Sequence, residues 1–241
     1  MNKFDEIYNK IIKENIDSTG IGTDEDNYIT DGFVDIEYLK PYEIEKLHNF
    51  TVKQGLVYNP ETGRWDCDHD LEIYRDAKWE VCVQGGDKLG IKFGVVKGKF
   101  MIGTGWLRSL YGCPTRVEGD CIISETQIGS FRGGPEYVGG YFNADSCGVT
   151  SLDGLPEFIG GNLQISHCNY LNKCDLDPDM VIKGDIISFG GCSRAGHTRE
   201  FYEELQQNLP KTFNGTIILP KEHKCSAKSA RNGFFNDPSW C

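Results

Sequence analysis

The chain is predicted to fold as a solenoid, α/β or mainly β, with short parallel strands stacked in rungs of 21 residues and helices closing both ends. Three observations carry that expectation. Pro114, Pro135 and Pro156 lie 21 apart, and Gly112, Gly133 and Gly154 keep the same step. Val96, Val117, Val138 and Ile159 repeat it, each two residues before a glycine: Gly98, Gly119, Gly140 and Gly161. Two apolar columns then follow, Trp79, Phe100, Cys121, Phe142 and Leu163, then Val81, Ile102, Ile123, Ala144 and Ile165. One such unit cannot bury its apolar face alone, so it stacks on its neighbours.

In chain order, residues 2 to 15 place Phe4, Ile7, Tyr8, Ile11 and Ile12 on one side of a short amphipathic helix. Asp17 to Asp31 is polar and acidic and reads as a connection. A second helix is expected within Phe33 to Phe50, with Pro41 at its start and Ile44, Leu47 and Phe50 buried. Residues 1–50 thus form an N-terminal helical and acidic capping segment. The turn cluster between Gly55 and Trp65 predicts a hairpin leading into the solenoid, which spans 51–220. Leu71 and Ile73 alternate correctly for an irregular early rung, although the 21-residue step is absent there.

Within a rung, alternation points Phe142 and Ala144 inward, and Tyr141, Asn143 and Asp145 outward. Two more apolar columns complete the inside: Leu107, Ile128, Val149 and Tyr170, with Leu89, Leu110, Phe131 and Leu152. Gly105, Thr126, Cys147 and Cys168 occupy a sharp bend, where a small donor satisfies backbone carbonyls. Glycine and proline then make a compact return. After Leu171 the period breaks, but Gly184 to Ser188 and Gly215 to Leu219 imitate Gly161 to Ile165 and predict two final rungs. Thr198 caps a helix carrying Phe201, Leu205 and Leu209. Residues 221–241 form a tail packed on the solenoid end through Phe234, Phe235 and Trp240.

From Phe142 the sequence reads F-x-A-x-x-C-x-V-x-x-L, and from Leu163 it reads L-x-I-x-x-C-x-Y. These stretches resemble the leucine-rich-repeat core. Leu107-Arg-Ser-Leu-Tyr-Gly-Cys-Pro and Val149-Thr-Ser-Leu-Asp-Gly-Leu-Pro-Glu-Phe-Ile-Gly-Gly are similar, more narrowly, to short leucine-rich-repeat proteins encoded by tailed bacteriophages. That resemblance covers the middle of the chain. It implies a fold and a viral origin, with no activity to carry over.

The net charge of −11, from 36 acidic and 25 basic residues, disfavours contact with phosphates and hence direct nucleic-acid binding. It suits either solubility or docking on a basic protein surface. No apolar stretch is long enough to span a membrane, and the N-terminus lacks the features of a secretory signal. Several of the ten cysteines fall in repeat columns, so they are expected as reduced thiols in a cytoplasmic protein.

Outward side chains of successive rungs form one candidate surface: Glu80; Lys99 and Met101; Asp120, Ile122 and Ser124; Tyr141, Asn143 and Asp145; Asn162, Gln164 and Ser166. It is either a protein-binding patch or a merely solvated sheet face. His167, Cys168, Cys174, Cys192, His197, His223, Cys225 and Cys241 gather towards the C-terminus without paired zinc spacing, so no metal is expected. The acidic stretch lacks a calcium-loop pattern, and the Gly85 and Gly94 stretches lack that of a phosphate loop. Neither G-x-S-x-G nor H-E-x-x-H occurs, so neither an enzyme nor a cofactor is expected. The chain reads as a non-enzymatic scaffold engaging a host protein in the host cytoplasm, one outcome being inhibition of a defence factor. A virion-attached component is the alternative, and a hydrolase or transferase site near Cys192 and His197 a third.

Overall fold

The structure is a computed structural model that describes residues 41–74, 78–83, 88–103, 105, 107–189, 197–219 and 224–226. Parallel pairing of short strands dominates it, in an α/β, solenoid-like arrangement of two sheets with few helices. Among the described residues one sheet has seven strands, ordered β1 (Val57–Asn59), β2 (Arg64–Cys67), β6 (Phe93–Val96), β8 (Arg116–Val117), β10 (Tyr137–Val138), β12 (Phe158–Ile159) and β14 (Val181–Ile182). The other has eight. From one edge it runs β17 (Lys224–Ser226), β16 (Thr216–Ile218), β15 (Ile186–Ile187), β13 (Leu163–Gln164), β11 (Phe142–Asn143), β9 (Cys121–Ile122), β7 (Phe100–Ile102) and β3 (Leu71–Ile73).

Each central rung therefore gives one strand to each sheet. The column two residues before the repeated glycine is itself a strand position, with Val96 beside Val117 and Val138 beside Ile159. Between the two strands the chain bends at the repeated glycine. Gly119 donates its N–H to Gly98 O at 3.1 Å, Gly140 to Gly119 O at 2.9 Å and Gly161 to Gly140 O at 2.8 Å. Such backbone contact leaves no room for a side chain: a Cβ on Gly119 would stand 2.8 Å from the carbonyl carbon of Gly98. The return closes in turns such as Leu110 to Cys113 and Phe131 to Gly134, whose third residues, Gly112 and Gly133, have φ of 92° and 81°. That is the type II geometry in which glycine carries the left-handed position.

The inner columns stack as expected from Phe100 onward. Phe100 pairs with Cys121, Cys121 with Phe142, and Phe142 with Leu163, and all are fully buried. Thr126, Cys147 and Cys168 satisfy the bends. Thr126 Oγ1 donates to Ile123 O at 3.0 Å, and Cys147 Sγ reaches the same carbonyl at 3.1 Å from the next rung. Cys168 Sγ contacts Ala144 O at 3.2 Å, again one rung back.

Two expectations need correction. Trp79 and Val81 do not start the inner columns: Leu71 pairs with Phe100 and Ile73 with Ile102, a step of 29 residues. The longer connection holds a helical turn, α2 (Lys78–Val81), and the hairpin β4 (Cys82–Val83) and β5 (Lys88–Leu89). Val81 is buried all the same, which is why it mimicked a column member. Tyr170 is 57% exposed, and Leu171 beside it is buried instead. From Leu163 to Ile186 the step is 23 residues, so the 21-residue grid no longer applies.

The helix α1 (Pro41–Lys53) begins at Pro41, whose missing N–H costs nothing at the first helical position. It buries Leu47 and Phe50, and the Phe50 ring meets Phe93 edge-on at 6.5 Å. Val57 to Cys67 forms the expected hairpin, Tyr58 opposite Trp65. The helix α3 (Arg199–Gln207) is capped by Thr198, whose Oγ1 accepts from Phe201 N at 3.3 Å, and it buries Phe201, Tyr202 and Leu205. The expected helix at 2–15, the acidic connection and the aromatic residues of the tail lie outside the described residues. Of the tail, Lys224–Ser226 pairs antiparallel with β16.

Candidate binding face of the eight-stranded sheet

Strand alternation turns one row of side chains outward, in register across the sheet. Met101 pairs with Ile122, Ile122 with Asn143, Asn143 with Gln164, Gln164 with Ile187 and Ile187 with Ile218. All six are half-buried. At the spacing of paired strands they form a flat row with apolar ends and an amide centre.

The row beside it has a structural task that the sequence did not disclose. Asp120 Oδ1 accepts the N–H of Tyr141 at 3.0 Å, and Asn162 Oδ1 accepts that of Asp185 at 2.8 Å. Asp185 does the same for Thr216 at 2.8 Å, and Asp70 for Lys99 at 2.7 Å. Each of these side chains staples its own rung to the next. On the other flank, Asp145 accepts from Ser166 N and from Gln164 Nε2, both at 2.7 Å. Asn143 Oδ1 accepts from Asp145 N at 2.9 Å.

Tyr141 and Ser124 are half-buried on this face. Ser166 is fully buried, and its Oγ accepts the N–H of Phe189 at 3.0 Å, so it is not part of the outward surface. Glu80 is not on the face either. It lies on the helical turn Lys78–Val81 and pairs with Lys53 at 2.9 Å, because the first rung of this sheet comes from Leu71–Ile73. The outward acid there is Glu72. It pairs with Lys99 and accepts from the Tyr74 hydroxyl, and these contacts hold its carboxyl below the usual range. The Leu71–Ile73 alternation was the signal that could have placed it.

The seven-stranded sheet presents a different outer row. Tyr137 and Phe158 stack at 4.7 Å with an interplanar angle of 4°. Arg116 covers the free face of Tyr137 at 3.7 Å, and Lys183 lies 5.1 Å from the Phe158 centroid. Alongside runs a half-open groove of about 390 Å³, lined among others by Tyr111, Arg132, Glu136 and Glu157. Arg132 is already paired with Asp153 at 2.5 Å. Nothing in the sequence periodicity had singled out this row.

The described cysteines are placed inside the stack. Cys67, Cys82, Cys113, Cys121, Cys147, Cys168 and Cys174 are free and buried. Burial pushes the Cys147 thiol up to about 11 and those of Cys168 and Cys174 up to about 12. His197 Nδ1 lies 3.0 Å from Ser188 Oγ and 3.2 Å from the Tyr202 hydroxyl. Burial, and secondarily His167, pushes this histidine down to about 4. Ser188 is fully buried, and His197 is buried beside it. Among the described residues no group of three or more His, Cys, Asp or Glu side chains is placed to hold a metal. Cys192, His223 and Cys241 lie outside them, as does the side chain of Cys225. No described helix is long and apolar enough to cross a membrane.

Compared with known proteins, the chain matches no family model, no curated protein and no solved structure.

Proposed function

We propose that this protein is a non-catalytic scaffold that binds a protein partner through the outer face of the eight-stranded sheet. One observation carries the reading: Met101, Ile122, Ile187 and Ile218 stay only partly buried in a single row around Asn143 and Gln164, while the inward neighbours Phe100, Cys121, Phe142, Leu163, Ile186 and Ile217 are fully buried. Apolar side chains on a flat surface, with amides between them, suit a partner that fills its contact by both packing and hydrogen bonding. We read the solenoid as of leucine-rich-repeat type with helices closing its ends, and on its resemblance to bacteriophage proteins we assign it a host protein as partner. Holding a host defence factor inactive is the role that suits such a scaffold in the host cytoplasm.

The test is affinity capture from infected cells with wild type, with Met101→Glu/Ile122→Glu, and with Tyr137→Glu on the opposite sheet. A partner retained by wild type and Tyr137→Glu but lost by the double variant supports the assignment. Retention of every captured protein by the double variant overturns it.

A further inference from the structure

An asparagine side chain lies close to the amide nitrogen of the next residue, and that nitrogen can attack it when it is neither shielded nor held. A following β-carbon shields the nitrogen, so glycine is the residue that leaves it open. Among the described asparagines only Asn214 precedes a glycine, Gly215. The stacked backbone separates these positions further. The amide after Asn143 is held by Gln164 O at 2.8 Å, that after Asn162 by Asp185 O at 2.9 Å, and that after Asn172 by Thr150 O at 3.2 Å. One rung earlier, the Gly184 N–H is held by Gly161 O at 2.9 Å. Gly215 has no such bond: among the described residues no acceptor takes its N–H, although Asp185 holds the neighbouring Thr216 N–H at 2.8 Å. Asn214 is exposed, and its side-chain amide is held by a bond of 3.1 Å from Nδ2 to Thr212 O.

We propose that Asn214 is a self-modifying site, which converts to aspartate and isoaspartate in the folded protein with water as the only co-reactant. The Gly215 nitrogen, having given its proton to solvent base, bonds to Asn214 Cγ. The Cγ–Nδ2 bond breaks, and the side-chain nitrogen takes up a proton and leaves as ammonia. Water then opens the five-membered imide. Attack at Cγ restores the main chain and leaves aspartate. Attack at the Asn214 carbonyl carbon leaves the chain running through Cγ, as isoaspartate, with one methylene more in the backbone.

The place in the fold makes the second product consequential. Gly215 is seated so closely that a Cβ on it would stand 2.2 Å from Gly184 O. Phe213 before it is fully buried, and so is Ile217 after it, which pairs with Ile186. A methylene inserted between these anchors lengthens a span that close packing holds at both ends, so the isoaspartyl form strains the pairing of β16 with β15. The site is independent of the partner-binding reading, although Ile218, at the end of that row, shifts with β16.

Ageing the full chain in heavy-oxygen water at neutral and mildly alkaline pH, followed by peptide mass spectrometry, tests it. The tryptic fragment 212–221 holds no other asparagine, which separates Asn214 from Asn232, the other asparagine before a glycine. Solvent oxygen is expected to enter that fragment at least about tenfold faster than it enters at Asn172, which is also exposed but precedes lysine. The rate is expected to rise with pH, with isoaspartate the larger share. In Asn214→Gln, whose imide would need a six-membered ring, the fragment is expected to stay unlabelled over the same period. Aged wild type is expected to unfold at lower urea than fresh protein and aged Asn214→Gln at the same urea, with Asn214→Asp, which has the charge without the methylene, in between. A folded chain that stays unlabelled while the synthetic fragment converts, or Asn172 converting as fast as Asn214, overturns the proposal. Conversion to isoaspartate that leaves the urea midpoint unchanged overturns the strain assigned to β16.

Discussion

Gly161 donates its N–H to Gly140 O at 2.8 Å, and a Cβ on Gly161 would stand 2.9 Å from the amide nitrogen of Tyr141. The neighbours are backbone atoms held by the adjacent rung, so they cannot swing aside. Gly161→Ala is expected to destabilise the chain by about 1–3 kcal/mol through overpacking. Gly129→Ala, where nothing lies within 4 Å of the added carbon, is expected to stay within about 0.5 kcal/mol of wild type. Urea unfolding midpoints separate the two, and equal midpoints would contradict the stacking.

Phe142 is fully buried and meets Phe131 edge-on at 5.7 Å, in the middle of the inner column. Phe142→Ala is expected to cost about 3–5 kcal/mol, the transfer loss plus a cavity that rungs on both sides prevent from collapsing. Glu80→Ala breaks only an exposed pair with Lys53 and is expected to change stability by less than about 1 kcal/mol. It is also expected to leave partner capture unchanged. Loss of the partner in Glu80→Ala would mean that the binding surface extends beyond the sheet face.

Thiol chemistry reports on the packing from inside. All seven described cysteines, of the ten in the chain, are buried, and burial raises the pKa of those in the repeat columns, so little thiolate exists there at pH 8. At most three thiols are expected to react with an aromatic disulfide reagent in the native state, and all ten in denaturant. Rapid labelling of four or more in native protein would contradict the described interior.

His197 gives the stability a pH dependence of known sign. Its folded pKa, pushed down to about 4, lies below the 6.5 of an ordinary imidazole. The unfolded chain therefore binds a proton first as pH falls. The stability contributed by keeping this imidazole neutral is complete above about pH 6.5 and is lost as pH drops towards 4, by up to about 3 kcal/mol. Measured as the stability difference between wild type and His197→Gln, it is expected to shrink over that window. A difference that stays constant would place His197 in solvent.

The repeat was legible because a solenoid writes its register into spacing: the glycine bends and the columns through Phe100, Cys121, Phe142 and Leu163 are local consequences of one backbone path. The second sheet was not, since a strand of two residues such as Tyr137–Val138 is too short to show alternation. Trp79 misled because a 21-residue ruler was extended across a connection that is eight residues longer. The roles of Asp120, Asn162 and Ser166 could not be read from type or position. An aspartate at an outward site looks the same whether it faces water or the amide of the next rung, and only the stacked structure shows which.

The central claim is that one rung lies on the next at the spacing of paired strands. Spin labels at Met101→Cys and Ile218→Cys, with Cys192, Cys225 and Cys241 replaced by serine, measure it directly. The two sites are separated by five strand steps in the pairing order, or about 24 Å at ~4.8 Å per step. Moving the first label to Ile122→Cys is expected to shorten the distance by one such step, and moving it to Asn143→Cys by two. A distance that does not shorten with each move would contradict the stack.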